Sequence, residues 1–163
     1  MSGGSSNGRA PQGGAPAGHA SPEAQLSALY QEIILDHYRR PRNKGTLEAP
    51  DEQVQIRNPL CGDEVELAVK FDGDTVADAR FTGKGCSISQ ASASMMTQAV
   101  KGTSREEAAA LFQQFHKLVH GESAAEKPLG ELRAMAGVSR FPARMRCALL
   151  AWGALHEVLG RRK

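Results

Sequence analysis

Three cysteines, Cys61, Cys86 and Cys147, are the residues of this 163-residue chain best suited to metal binding or sulfur chemistry, because a thiolate is both a soft metal ligand and a nucleophile. Cys86 follows Gly83-Lys84-Gly85 and precedes Ser87-Ile88-Ser89-Gln90-Ala91-Ser92-Ala93-Ser94-Met95-Met96. The glycines permit a tight turn with exposed backbone N–H groups, and the small residues after the cysteine let a helix start and pack closely. A helix N-terminus carries partial positive charge, an environment that favours thiolate. Cys61 lies in Cys61-Gly62-Asp63, two positions before a carboxylate. Cys147 follows Phe141-Pro142-Ala143-Arg144-Met145-Arg146, where a proline able to open a helix puts the cysteine in its first or second turn.

Cys61, Asp63, Cys86 and Cys147 come from three separate places, each at the end of an element, and offer three thiolates and one carboxylate, a tetrahedral set that Zn²⁺ accepts. The bound set would carry a formal charge of −2, which Lys84, Arg144 and Arg146, close to the ligands in sequence, would help to hold. A carboxylate is a weaker partner for a soft site than a fourth thiolate, so such a site exchanges more readily than a four-cysteine one. Two plainer readings stand beside it. Asp63 could cap a turn after Gly62, and Cys147, with apolar helical neighbours, could be a buried core cysteine.

The elements that must position these residues follow from periodicity. Ser21-Pro22 opens a helix to about Arg40, with Leu26, Leu29, Tyr30, Ile33, Ile34 and Tyr38 at helical spacing and a stop at Pro41. His37 in that helix reads as structural or partly exposed. Gln53 to Asn58, Glu64 to Phe71 and Thr75 to Phe81 read as strands; Val65, Leu67, Val69 and Phe71 alternate, and Asp72-Gly73 signals a hairpin. A three-stranded antiparallel meander results, and its topology brings the Cys61 connection and Cys86 to the same end of the sheet. A helix from Cys86 to about Val100 follows, then a capping box at Ser104-Arg105-Glu106-Glu107 and an amphipathic helix through Val119. His116 and His120, four apart, could share a metal, but no cysteine or carboxylate accompanies them, and a solvated pair is the simpler reading. A short helical segment from Leu129 to Ala136 stops at Gly137, and the last helix opens at Pro142. The fold class is α+β, a three-stranded antiparallel sheet packed against several helices with a metal site at one end.

Residues 1–20 hold six glycines, two prolines and three serines, too little apolar surface to offset the cost of ordering. Residues 1–21 are expected to be a disordered tail and residues 22–163 a single domain. Twenty basic against eighteen acidic residues give a net charge of +2, which does not indicate nucleic acid. No apolar run approaches membrane-spanning length and no signal peptide is seen. A soluble, cytoplasmic monomer is expected, with its cysteines as thiols.

The segments Asn58-Pro59-Leu60-Cys61-Gly62-Asp63, Gly83 to Met96, and Phe141 to Cys147 with Trp152 resemble, in order, the IscU/SufU family of iron–sulfur cluster assembly proteins. The match runs from about Leu26 to Leu159. SufU-type members are the closer likeness: IscU-type members carry a histidine immediately before the last cysteine, where this chain has Arg146, and residues 121–138 resemble an insertion of the SufU type. The resemblance implies zinc held by Cys61, Asp63, Cys86 and Cys147, with Cys61 as the sulfur acceptor and Arg144 or Arg146 able to stabilise its thiolate or persulfide. It also implies sulfurtransferase-type activity with a SufS-type cysteine desulfurase as donor and the SufBCD assembly complex as recipient. The alternatives are a scaffold that assembles iron and sulfide into a [2Fe–2S] cluster on the same four residues, and a purely structural zinc module.

Overall fold

The computed structural model describes residues 22–60 and 62–161, with side chains from Ser27 onward; the expected tail falls outside them. The chain runs α1 (Pro22–Arg39), β1 (Glu52–Arg57), β2 (Glu64–Asp72), β3 (Thr75–Lys84), α2 (Ser87–Val100), α3 (Arg105–Val119), α4 (Glu126–Leu129), a 3₁₀ segment (Gly130–Arg140) and α5 (Pro142–Gly160). The fold is the α+β meander expected, and among the described residues no helix is long and apolar enough to cross a membrane.

Alternation builds the sheet. The strands pair antiparallel in the order β1-β2-β3, Val54 opposite Leu67 and Leu67 opposite Phe81, so one face carries Val54, Val65, Leu67, Val69 and Phe81 into the core. Asp72 pairs with Thr75, leaving Gly73 at φ +62 to turn the hairpin. β3 runs on to Lys84, beyond the expected Phe81, because Gly83 and Lys84 still pair with Val65 and Glu64. That extension carries the chain directly into the Cys86 turn.

Helix α2 is buried at every position from Ile88 to Thr97, flanked by α1, α5, β3 and the 3₁₀ segment. Its run of Ala and Ser permits this close approach, and its buried hydroxyls find partners: Ser92 Oγ donates to Ala148 O at 2.6 Å and accepts from Trp152 Nε1 at 3.2 Å. Trp152, fully buried, stacks on Phe115 with ring centroids 4.5 Å apart, so α5 is anchored on the elements that flank it. α3 begins with the capping box in full, Ser104 Oγ accepting from Glu107 N and Glu107 Oε1 from Ser104 N.

Two expectations need correcting. The apolar stripe of α1 is narrower than its sequence suggests: Tyr30, Ile33 and Ile34 pack on the core, whereas Leu29 and Tyr38 stand half exposed. The inward place goes to His37, the structural histidine the sequence allowed: it is 1% exposed, and both ring nitrogens find partners. Nδ1 lies 2.8 Å from Ser94 Oγ and Nε2 lies 3.0 Å from Glu131 Oε1. Nor does Gly137 stop the segment before α5. It has no positive φ, and Leu132, Ala134, Met135 and Val138 bury a face that continues through it; the break comes earlier, at Gly130 with φ +51.

Candidate metal centre

The connection between β1 and β2 is closed by its own polar groups. Asn58 N–H donates to Asp63 O at 2.8 Å, Gly62 N–H to Asn58 O at 2.8 Å, and the Asn58 side-chain oxygen accepts from Leu60 N at 3.0 Å. Asn58 is buried and Gly62 takes φ +77, so this loop rests on an amide that bonds its own backbone and a glycine in the left-handed region. In the sequence Asn58 stands out as a strand end and as the first residue of the Asn58-to-Asp63 motif; its role in closing the loop is signalled there only by an Asn-Pro pair ahead of a glycine. Cys61 lies outside the described residues.

Asp63, 3% exposed, turns its carboxylate toward Cys86. Its Oδ1 accepts the Cys86 backbone N–H at 3.1 Å and its Oδ2 accepts the Cys86 thiol at 3.3 Å. Cys86 is the N-cap residue of α2, with φ −72 and ψ 167. Two glycines make the approach possible. A β-carbon at Gly83 would fall 2.3 Å from Glu64 O, and one at Gly85, where φ is +149, would fall 2.4 Å from Asp63 Oδ1. Any side chain at either place would displace β2 from β3 or the carboxylate from the thiol.

Cys147 reaches the same point from α5. Phe141 is the N-cap and Pro142 the first helical residue, so the cysteine lies in the second turn. It is 7% exposed, whereas Cys86 is exposed. The ligand-capable atoms of Asp63, Cys86 and Cys147 all lie within 4.8 Å of one another. Burial pushes the Cys147 thiol well above its ordinary value, and hydrogen bonding with Cys86 and Asp63 and their negative charge add to the shift. Three acidic groups packed this closely cannot all ionise unless a cation offsets them. A soft or borderline divalent ion would supply that charge, and two sulfurs with one carboxylate oxygen suit zinc or iron.

A cleft of about 340 Å³ opens beside these sulfurs, lined by Asn58, Leu60, Cys86, Ser87, Ile88, Ala143, Arg144, Arg146 and Cys147. Among the described residues no ion pair engages Arg144 or Arg146; the Arg144 guanidinium lies 5.7 Å from the Phe141 ring centroid. Leu60, 74% exposed, gives the cleft an apolar edge, and Phe141, the N-cap of α5, is 55% exposed. Lys84 does not join the two arginines. It lines a separate groove with Gln55, Glu64, Glu66, Thr82 and Gly83, because its place at the end of β3 puts it opposite Glu64. His116 and His120 are exposed and apart from the Asp63 group.

A profile of the NifU-like N terminal domain family matches residues 29–157. The chain is 49% identical over 135 residues to a Bacillus subtilis (strain 168) protein named zinc-dependent sulfurtransferase SufU, covering 82% of this chain and 91% of that one. It is also 49% identical over 139 residues to a Streptococcus pyogenes serotype M1 protein named iron–sulfur cluster assembly scaffold protein IscU, covering 85% and 87%. A crystal structure from Fervidobacterium islandicum AW-1, described as a candidate iron–sulfur cluster assembly scaffold protein for the SUF system, superposes with a TM-score of 0.77 at 33% identity, covering 81% of this chain and 97% of that one. With the whole sheet and most of the helical residues inside the matched range, the chain belongs to the NifU-like N-terminal domain family, within its SufU and IscU-named branch.

Proposed function

We propose that this protein is a zinc-dependent sulfur acceptor of iron–sulfur cluster assembly, working in the cytoplasm as a monomer. In this reading it takes persulfide sulfur from a SufS-type cysteine desulfurase and passes it to the SufBCD complex. The observation that carries the reading is the convergence of Asp63, Cys86 and Cys147 within 4.8 Å beside an arginine-lined cleft. Cys61, two positions before Asp63 in the same loop, completes the set as fourth ligand and acceptor. Bound zinc would keep the thiolates deprotonated yet restrained.

The chain's own residues do the rest. The Cys61 thiolate attacks the outer sulfur of the donor persulfide, the donor's S–S bond breaks, and the donor cysteine leaves as a thiolate. Cys61 ends as a persulfide with no net oxidation. Arg144 and Arg146 supply positive charge where both the incoming and the product anions are held. Asp63, a weaker partner for the metal than a thiolate, makes ligand exchange easy.

A scaffold that builds a cluster on the same residues is the second reading, favoured by the names of the Streptococcus and Fervidobacterium relatives. Arg146 weighs against it, standing where IscU-type members carry a histidine. Incubation with a SufS-type desulfurase and cysteine separates the two. The expected result is added sulfur on Cys61 by peptide mass spectrometry, with stimulation lost in Cys61→Ala and no need for iron. A transferable coloured cluster formed from iron and sulfide, with no persulfide on any cysteine, would overturn sulfur transfer in favour of the scaffold.

A further inference from the structure

Outside the thiol cleft, the C-terminal turn of α3 brings two imidazoles together. His116 lies in the last turn and His120 is the C-cap; both are exposed, and their ring centroids are 4.2 Å apart at 28°. His120 Nδ1 lies 2.7 Å from His116 O. A carbonyl only accepts, so Nδ1 carries the proton and Nε2 of the neutral ring presents its lone pair to solvent. This is the arrangement by which a backbone carbonyl orients a metal-binding histidine.

We propose that His116 and His120 form a second, exchangeable site for a borderline divalent cation such as Ni²⁺, Cu²⁺ or Zn²⁺. Imidazole nitrogen binds zinc at about 2.0–2.1 Å, so two of them on one tetrahedral ion stand about 3.3 Å apart. With ring centroids 4.2 Å apart the two imidazoles lie within reach of one ion, and rotation of two exposed side chains would turn a nitrogen of each toward it. The helix C-terminus adds its partial negative charge, which favours a cation there. His156 does not join: the Phe112 ring intervenes, stacked on His156 at 4.8 Å and 6.0 Å from His116. The pair therefore supplies two ligands, with water completing the shell, and imidazole selects borderline ions over Mg²⁺ or Ca²⁺. None of the cleft-lining residues lies on α3, so this site is independent of the thiols.

The test is calorimetric titration of the full chain, preloaded with one equivalent of Zn²⁺, with Ni²⁺. The parent is expected to bind about one more Ni²⁺ than the H116Q/H120Q double variant, and each single variant to lower the affinity by about tenfold. H156Q should titrate like the parent. H116N and H120N provide a second replacement should either glutamine alter the melting temperature. Identical Ni²⁺ binding in the parent and the double variant, or none in the parent, would overturn the assignment; so would an equal loss in H156Q.

Discussion

Gly85 stands against Asp63 so closely that a β-carbon at 85 would lie 2.4 Å from Oδ1 and 2.5 Å from Cγ. The glycine before Cys86 therefore serves the carboxylate rather than only the turn. Gly85→Ala is expected to cost about 1–3 kcal/mol, from the φ of +149 and the contact together, and to lower zinc content with it. Thermal melting and metal analysis check both. A variant with parental melting temperature and full zinc would show that Asp63 can move away freely.

The donor set predicts unequal losses. Cys86→Ser and Cys147→Ser each remove a sulfur, and metal analysis should find both depleted of zinc. Asp63→Ala leaves the thiols, so zinc should still be present after purification but be withdrawn faster by a mild chelator. An Asp63→Ala protein as resistant to the chelator as the parent would reduce Asp63 to holding the Cys86 N–H.

His37 joins elements distant in sequence. Ser94 Oγ accepts from Arg42 N at 2.8 Å, leaving its proton for His37 Nδ1, and a ring protonated on Nε2 then donates to Glu131. His37→Ala should destabilise by about 2–3 kcal/mol, since it leaves a cavity and a buried hydroxyl short of a partner. A double-mutant cycle with Ser94→Ala should give a coupling of about 0.5–3 kcal/mol by urea unfolding. Strict additivity would mean that the two side chains do not support one another.

At the end of α1, hydrogen bonds from Arg42 and then Arg40 hold the Asp36 carboxyl down to about 2 from an ordinary 3.8. A depressed folded-state value stabilises the fold above the unfolded value, and that contribution is lost as pH falls from about 4 through 2. Carbon NMR titration should find Asp36 at about 2 in the parent and higher in Arg42→Ala. An unchanged midpoint in that variant would remove Arg42 as the cause.

Residues 1–20 carry almost no apolar surface. Deleting them should leave melting temperature and zinc content as they are; a large fall in either would place part of the domain's stability in that segment.

The sequence by itself determined whatever is encoded locally. Alternation at Val65, Leu67 and Val69 set the buried sheet face, Asp72-Gly73 the hairpin, Ser104 with Glu107 the capping box, and Pro142 the start of α5. Meander topology then sufficed to bring Asp63 and Cys86 to one end of the sheet. Periodicity could not tell that His37 takes the inward place on α1 while Leu29 and Tyr38 stay half exposed, because its partners lie 57 and 94 positions away. Nor could it separate Lys84 from Arg144 and Arg146, cations that all stand near cysteines in the chain; strand register sends the first to Glu64, and the helical turn brings the others to the cleft. The need for glycine at 85 was likewise decided only in the tertiary structure. A steric exclusion exists only once the atom it excludes has arrived from another part of the chain, and here that atom is a carboxylate oxygen brought in by the connection between β1 and β2.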